Sequence, residues 1–108
     1  MSGYRFLSPA EDEMAQAALF YEAQTEGLGY AFLDNIGRVV HRLCEHPLTA
    51  RLTTTFRSMI LSRFPFKIIY KIEPESILIV AVAHQSRRPN YWKTRIGNEA
   101  MSGVDDKR

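Results

Sequence analysis

The chain has 108 residues, the size of one domain, because one hydrophobic core usually serves roughly 100–150 residues. Its composition, 45% hydrophobic and 24% charged, excludes a chain dominated by disorder. The longest apolar run, residues 77–83, is far shorter than the ~20 residues that span a bilayer, and no charged segment followed by an apolar stretch opens the chain. Cys44 is the only cysteine, so neither an internal disulfide nor a thiolate metal cluster is expected. We expect one cytoplasmic domain over residues 1–95 and a flexible tail over residues 96–108.

Charge is divided unevenly along the chain. Residues 1–49 carry three basic and seven acidic residues, a net charge of −4, whereas residues 50–108 carry eleven basic and five acidic residues, a net charge of +6. A basic surface of this kind is typical of a protein with an anionic partner, either nucleic acid or an acidic protein segment. The alternative is chance segregation of charge, which small proteins also show.

A short strand and a sharp helix start are predicted first. Residues 4–7 are mostly aromatic or apolar, which favours a half-buried strand. Ser8, Pro9 and Glu11 then predict a helix in which the serine hydroxyl is the N-cap and the glutamate returns a hydrogen bond to the cap.

An antiparallel helical hairpin follows. Apolar residues with the helical period predict one helix from residue 9 to about residue 24 and a second within about residues 28–45. Gly27 can take the left-handed conformation in the turn between them, and Pro47 cannot continue the second helix. Helices joined by so short a link lie side by side and antiparallel.

After residue 50 the hydrophobic period changes to two. Residues 56–61 and 66–72 predict two strands, the second with Lys67, Ile69 and Lys71 on one face. Residues 77–83 are apolar on both faces, which predicts either a central strand covered on each side or an interior strand with only one solvated end. The order strand, helix, helix and three strands (β-α-α-β-β-β) predicts an α+β fold with the helical hairpin packed on a mostly antiparallel sheet.

Chemically active side chains are concentrated directly after the last strand. His84, Arg87, Arg88, Tyr91 and Trp92 leave the sheet together. The arginines can hold phosphates through bidentate contacts and the aromatic rings can stack on bases, while His84 or Tyr91 can transfer a proton. Packing of Tyr91 and Trp92 back onto the sheet is the alternative.

Other basic residues are expected to join this cluster, so that guanidinium groups from separate strands meet at one rim of the sheet. No ligand set is spaced for a metal, and no cofactor is expected. The candidates for catalysis are Arg57, Arg63, His84, Arg87 and Tyr91. The candidates for target binding are Arg57, Arg63, Lys71, His84, Arg87, Arg88, Tyr91 and Trp92.

Several catalytic motifs are absent from the sequence, including a Gly-rich phosphate loop, H-E-x-x-H and G-x-S-x-G. Any catalysis must therefore use arginine, lysine, histidine and tyrosine. That set suits metal-independent cleavage of a phosphodiester, in which the protein stabilises charge and transfers a proton.

Three runs of sequence carry a family resemblance: residues 56–61 (FRSMIL), residues 63–72 (RFPFKIIYKI) and residues 79–92 (IVAVAHQSRRPNYW). Together with the opening strand and the Ser-Pro-Ala-Glu helix start, they resemble the RelE/ParE superfamily of toxins from bacterial type II toxin–antitoxin systems. The resemblance covers residues 4–93, and its most specific feature is His-x-x-Arg-Arg-Pro after the last strand.

The resemblance implies a small toxin of the bacterial cytoplasm, serving plasmid maintenance or a stress response and neutralised by a cognate antitoxin in a hetero-oligomer, with no membrane partner. ParE-like members inhibit DNA gyrase by binding, whereas RelE-like members are ribosome-dependent mRNA endoribonucleases. The long hairpin and the His84 to Arg88 ending look closer to ParE, so we expect growth inhibition by binding a replication target such as gyrase. Arg57 and Arg63 can stand for the strand arginines of RelE, so an mRNA endoribonuclease is the first alternative. A non-toxic regulatory member of the superfamily is the second.

Overall fold

Two long helices and five strands make up most of the fold over residues 3–49, 51–53 and 55–96, which the computed structural model describes, and residues 93–96 are also helical. The strands form one sheet in the order β1-β5-β4-β3-β2, in which β1 runs parallel to β5 and every other neighbouring pair is antiparallel. The predicted α+β fold is confirmed. In chain order the elements are β1 (Tyr4–Phe6), α1 (Ser8–Gln24), α2 (Leu28–Glu45), a 3₁₀ turn (Pro47–Thr49), β2 (Arg51–Thr53), β3 (Phe56–Ile60), β4 (Phe66–Ile72) and β5 (Ile77–His84).

Helix α1 begins without the serine cap that the sequence predicts. Its N-cap residue is Leu7, in extended conformation, and no side chain caps the helix. The Leu7 N–H donates to the Ile79 carbonyl at 2.9 Å, while the Leu7 carbonyl accepts the Glu11 N–H at 3.0 Å. The prediction of a capping box at Ser8 is therefore wrong, because the strand runs directly into the helix and Ser8 is already a helical residue.

The turn between the helices is held by the Glu22 carboxylate, which accepts the backbone N–H groups of Gly27 and Gly29, each at 2.8 Å. Gly27 has φ 87°, the left-handed conformation that the sequence predicts. Gly29 lies against α1, where an added Cβ would approach the Ala18 carbonyl oxygen to 2.5 Å. The close antiparallel contact of the two helices therefore requires glycine at this position.

The sheet carries an apolar core on each face. The larger core lies between the sheet and the helical hairpin and includes Phe32 and Tyr70. The smaller core lies on the other face and includes Phe56 and Trp92. Strand β5 lies between β1 and β4 and contributes residues to both cores, which confirms the predicted central strand.

One element differs from the sequence prediction. Strand β2 is not predicted, because its three residues are too few to show a period of two. Ile96 packs against the smaller core; the rest of the predicted flexible tail, residues 97–108, lies outside the described residues, so the tail stays a prediction. No helix in the described ranges is both long and apolar enough to cross a membrane.

Candidate functional site

The chain forms a tight turn where it leaves β5. The Arg87 N–H donates to the His84 carbonyl at 3.0 Å, and the Gln85 N–H donates to the Pro65 carbonyl at 2.8 Å. His84 Nδ1 accepts the backbone N–H of Ser86 at 3.0 Å and lies 2.8 Å from its hydroxyl oxygen. Because Nδ1 acts as an acceptor here, the neutral ring carries its proton on Nε2.

Beyond the end of β1, side chains form hydrogen bonds with the backbone edge of β5. Strand β1 pairs with β5 only as far as Ile79, and the register with β4 shifts just beyond it. The Val80 carbonyl accepts Arg95 Nη1 at 3.1 Å, and the Val82 N–H donates to Glu13 Oε1 at 3.0 Å. Backbone groups that a longer β1 would pair are therefore satisfied by an acid from α1 and a base from the C-terminal segment.

Glu13 is the centre of this arrangement, which we call the Glu13 cluster (Glu13, Tyr91, Arg95 and the backbone of Val80 and Val82). Arg95 donates to both carboxylate oxygens, from Nη1 to Oε1 at 2.9 Å and from Nη2 to Oε2 at 2.8 Å. The Tyr91 hydroxyl donates to Oε2. The cluster thus ties α1, β5 and the C-terminal segment together in a bidentate, charge-assisted geometry.

The same contacts shift the pKa values of the cluster. Burial acts to raise the pKa of Glu13, but hydrogen bonds from Arg95, Tyr91 and the Val82 N–H outweigh burial and lower the pKa below its ordinary value. Burial, reinforced by the hydrogen bond to Glu13, raises the pKa of Tyr91 to about 12. The hydrogen bond to Glu13 raises the pKa of Arg95. At neutral pH the cluster therefore holds a carboxylate, a neutral phenol and a guanidinium.

Arg87 is held above this cluster with half of its side chain in solvent. Its guanidinium carbon lies 3.8 Å from the centroid of the Tyr91 ring. Its Nη1 lies 3.8 Å from Glu13 Oε2, and the side chain is 51% exposed. The cation–π contact, a type of interaction that contributes about 0.5–2 kcal/mol, orients the charge without removing it from the surface.

A cleft of about 450 Å³ opens beside Arg87, between the N-terminal half of α1 and the end of β5. Phe20 and Phe66 give it apolar walls, and His84 and Arg87 lie at its rim. Phe20 is 60% exposed, and large exposed apolar side chains beside polar rims are typical of protein interaction sites. Among the residues that the structure describes, no group of three or more His, Cys, Asp or Glu side chains is arranged to hold a metal ion.

Trp92 lies on the other face of the sheet from the larger core. Asn90, with φ 64°, lets the chain reverse directly before Tyr91 and Trp92. The Trp92 ring contacts Phe56 edge-on with the ring centroids 5.0 Å apart, and the residue is only 5% exposed. A ring buried in this way has no free face on which a base can stack. The packing alternative is therefore correct for Trp92, and its prediction as a target-binding residue is wrong.

The predicted arginines do not meet at one rim. The three strand and turn arginines line different depressions. Arg57 lines one beside Pro89, Arg63 lines one beside α2, and Arg87 lines one beside α1. Lys71 pairs across the sheet with Leu78, a residue of the smaller core. The convergence predicted from sequence is wrong, because strand order alone does not reveal that the turn carrying Arg63 packs against α2. Arg87, His84 and Tyr91 do lie together.

Two members of the Glu13 cluster were not identified from the sequence. Neither Glu13 nor Arg95 is among the site residues predicted from the sequence. A signal for Glu13 was available, because it lies on the helical stripe of buried Ala10 and Ala17. A charged residue on a buried stripe indicates an internal partner. No pattern in the sequence points to Arg95 as that partner.

The helical hairpin packed on one mixed sheet defines an architectural class of α+β proteins. It is shared with a solved chain described as "Chromosomal ParDE TA system from P. aeruginosa", with a TM-score of 0.65 and 18% identity over 78% of this chain and 95% of that one. At this identity the similarity shows the fold alone. Residues 4–89 match the family described as the ParE toxin of the type II toxin–antitoxin system, parDE. The chain belongs to this family, which confirms the resemblance found in its sequence. No curated protein matches it significantly.

Proposed function

We propose that this type II toxin inhibits growth in the bacterial cytoplasm by binding a replication enzyme such as DNA gyrase, and that a cognate antitoxin neutralises it in a hetero-oligomer. Membership of the ParE toxin family supports the toxin class. The choice of binding over catalysis rests on the state of the side chains after β5.

The observation that carries the proposal is the engagement of Tyr91. A phenol with a pKa of about 12 whose hydroxyl already donates a hydrogen bond to Glu13 does not act as an acid or base near neutral pH. Arg87 is oriented on the surface beside an apolar cleft, and Arg88 is exposed in the same turn. Oriented cations next to exposed apolar surface suit recognition of a protein better than proton transfer.

One observation favours the endoribonuclease alternative. His84 carries its proton on Nε2, and within the described ranges this atom has no hydrogen-bond partner. Its open Nε2–H beside Arg87 can supply a proton to a leaving group when the ring is a protonated imidazolium. The experiment must therefore separate inhibition of gyrase from cleavage of translated mRNA.

The test combines purified protein with gyrase and relaxed plasmid. We expect the wild-type chain to block supercoiling or to trap cleaved DNA. Arg88→Ala removes an exposed charge without touching the Glu13 cluster and should raise the inhibitory concentration about tenfold, the effect of losing one charge-assisted hydrogen bond. Lys67→Ala, which removes a charge from β4, is the matched control.

Two outcomes would contradict the binding proposal. Supercoiling that stays normal at every toxin concentration excludes gyrase as the target. Cuts in translated messages after induction, lost in His84→Ala, would establish the endoribonuclease instead. Induction with and without the adjacent open reading frame tests the antitoxin separately, since growth arrest should be relieved only when the neighbour is co-expressed.

A further inference from the structure

A second basic surface lies between α2 and the turn that joins β3 to β4. Arg38 and Arg42 on α2 and Arg63 in the turn line one cleft of about 170 Å³, which we call the arginine cleft. All three residues are exposed. Arg38 and Arg42 are four residues apart and so share one face of the helix.

These charges are little used inside the protein. Arg38 pairs with Asp34 at 2.7 Å, but the two side chains are 73% and 58% exposed, and such pairs are weak and easily exchanged. In the described part of the chain, no carboxylate lies within ion-pair distance of Arg42 or Arg63. Arg63 has only a distant ring contact, its guanidinium carbon being 5.7 Å from the centroid of Phe64. The three arginines of the cleft therefore have one internal acidic partner, Asp34, and carry excess positive charge.

The remaining lining combines apolar side chains with two uncharged polar residues, Asn35 and Ser62. Val39 and Met59 contribute to the walls of the cleft, and Ile60 at its rim is 62% exposed. No aromatic side chain is among the lining residues. Proteins that bind single-stranded nucleic acid stack the bases on aromatic rings, whereas a peptide that carries both carboxylates and apolar side chains can use both kinds of surface offered here.

We propose that the arginine cleft binds an acidic peptide segment of a protein partner. Carboxylates of the segment pair with Arg38, Arg42 and Arg63, and its apolar side chains cover Ile60. Guanidinium groups suit this role because they bind carboxylates in bidentate geometry. The proposal goes beyond the action on a replication enzyme, because this cleft is lined by none of the residues in the turn after β5.

Fluorescence anisotropy with a labelled peptide of alternating Glu and Leu tests the proposal on the full-length chain. We expect saturable binding that weakens about tenfold or more in the double variant Arg38→Ala/Arg42→Ala. The matched control Lys67→Ala/Lys93→Ala removes the same charge elsewhere and should change affinity by less than about twofold. Higher salt should weaken binding, and the same peptide with Lys in place of Glu should not bind.

Amide chemical shifts locate the peptide. We expect the changes to centre on residues 38–42 and 59–63, and changes centred on residues 84–91 would overturn the proposal. So would absence of binding to the wild-type chain, equal losses in the two double variants, or tighter binding of an oligothymidylate of the same length. Circular dichroism on each variant separates loss of binding from loss of fold. None of these readouts involves gyrase, so failure here and failure of the proposed function are distinguishable.

Discussion

The Glu13 cluster and the arginine cleft both depend on arginine, but they hold it in opposite ways. In the cluster, Arg95 and Glu13 are each only 16% exposed and share two hydrogen bonds. In the cleft, Arg42 and Arg63 are exposed, with no carboxylate partner among residues 3–49, 51–53 and 55–96. An arginine in a mostly buried ion pair joins elements of the fold, whereas an exposed arginine remains available to a partner.

The difference has an energetic consequence. An exposed arginine costs little to remove, because water already solvates it. A partly buried pair responds asymmetrically, because removing one partner leaves the other charge desolvated and uncompensated. Substitutions in the two regions should therefore differ greatly in how much they lower the free energy of unfolding, and this difference can be measured.

The largest effect is expected for Glu13→Ala. The change removes the acceptor for Arg95, Tyr91 and the Val82 N–H, and leaves a guanidinium buried beside an unpaired strand edge. We expect a loss of about 3 kcal/mol in the free energy of unfolding, as for other broken, partly buried ion pairs. Urea denaturation followed by circular dichroism measures it.

Glu11→Ala is the matched control on the same helix, because Glu11 is exposed in the first turn. It should cost less than about 1 kcal/mol through the helix dipole alone. If the two variants lose the same stability, the Glu13 cluster does not hold the fold together, and the contrast between the two regions fails.

Acid should destabilise the fold less than Glu13→Ala does, because protonation leaves the Glu13 side chain in place. The pKa of Glu13 is lowered from 4.5 in the folded chain, so the unfolded chain takes up protons first as the pH falls. The contribution of Glu13 is fully present above about pH 4.5 and is lost as the pH falls through the folded pKa. The stability difference between wild type and Glu13→Gln should be constant above that pH and shrink below it. A difference that stays unchanged into the acid range would contradict this assignment.

The helical hairpin was predictable because its signals are local. Gly27 and Pro47 mark the turn and the end of the second helix, and the predicted helix bounds agree with the structure apart from the first helix, which begins one residue earlier, at Ser8. The central strand was also predictable, since an apolar run on both faces has few other places in an α+β fold.

The candidate site was only partly predictable because its contacts are long-range. Glu13 and Arg95 are 82 residues apart in the chain, and no local pattern links a helix residue to a side chain beyond the last strand. The order of the strands in the sequence predicts that Arg63 and Arg87 lie at the same rim of the sheet. In the structure the turn that carries Arg63 faces α2. Pairings of this kind follow from how layers pack, which composition and period do not encode.

Tyr91→Phe should have an intermediate effect. It removes one hydrogen bond to Glu13 but keeps the ring under Arg87, so a loss of about 1 kcal/mol is expected. Ultraviolet titration gives a second measurement, because the absorbance of one tyrosinate should appear at a pH of about 12 in the wild type and be missing in the variant. A Tyr91 that ionises near its ordinary value of 10.0 would show that the phenol is free, and it would reopen proton transfer at this residue.

The smallest effect is expected in the arginine cleft. Arg42→Ala and Arg63→Ala each remove an exposed charge that makes no ion pair within the described residues, so each should change the free energy of unfolding by less than about 0.5 kcal/mol. Thermal and urea denaturation measure this directly. Arg95→Ala, which removes one partner of the Glu13 ion pair, is the comparison variant and should lose much more stability. Because binding of an acidic segment needs these charges and folding does not, the two variants should separate affinity from stability. A stability loss at Arg42 or Arg63 comparable to that of Arg95→Ala would mean that the cleft arginines hold the α2 to sheet contact, and the distinction between the two regions would no longer stand.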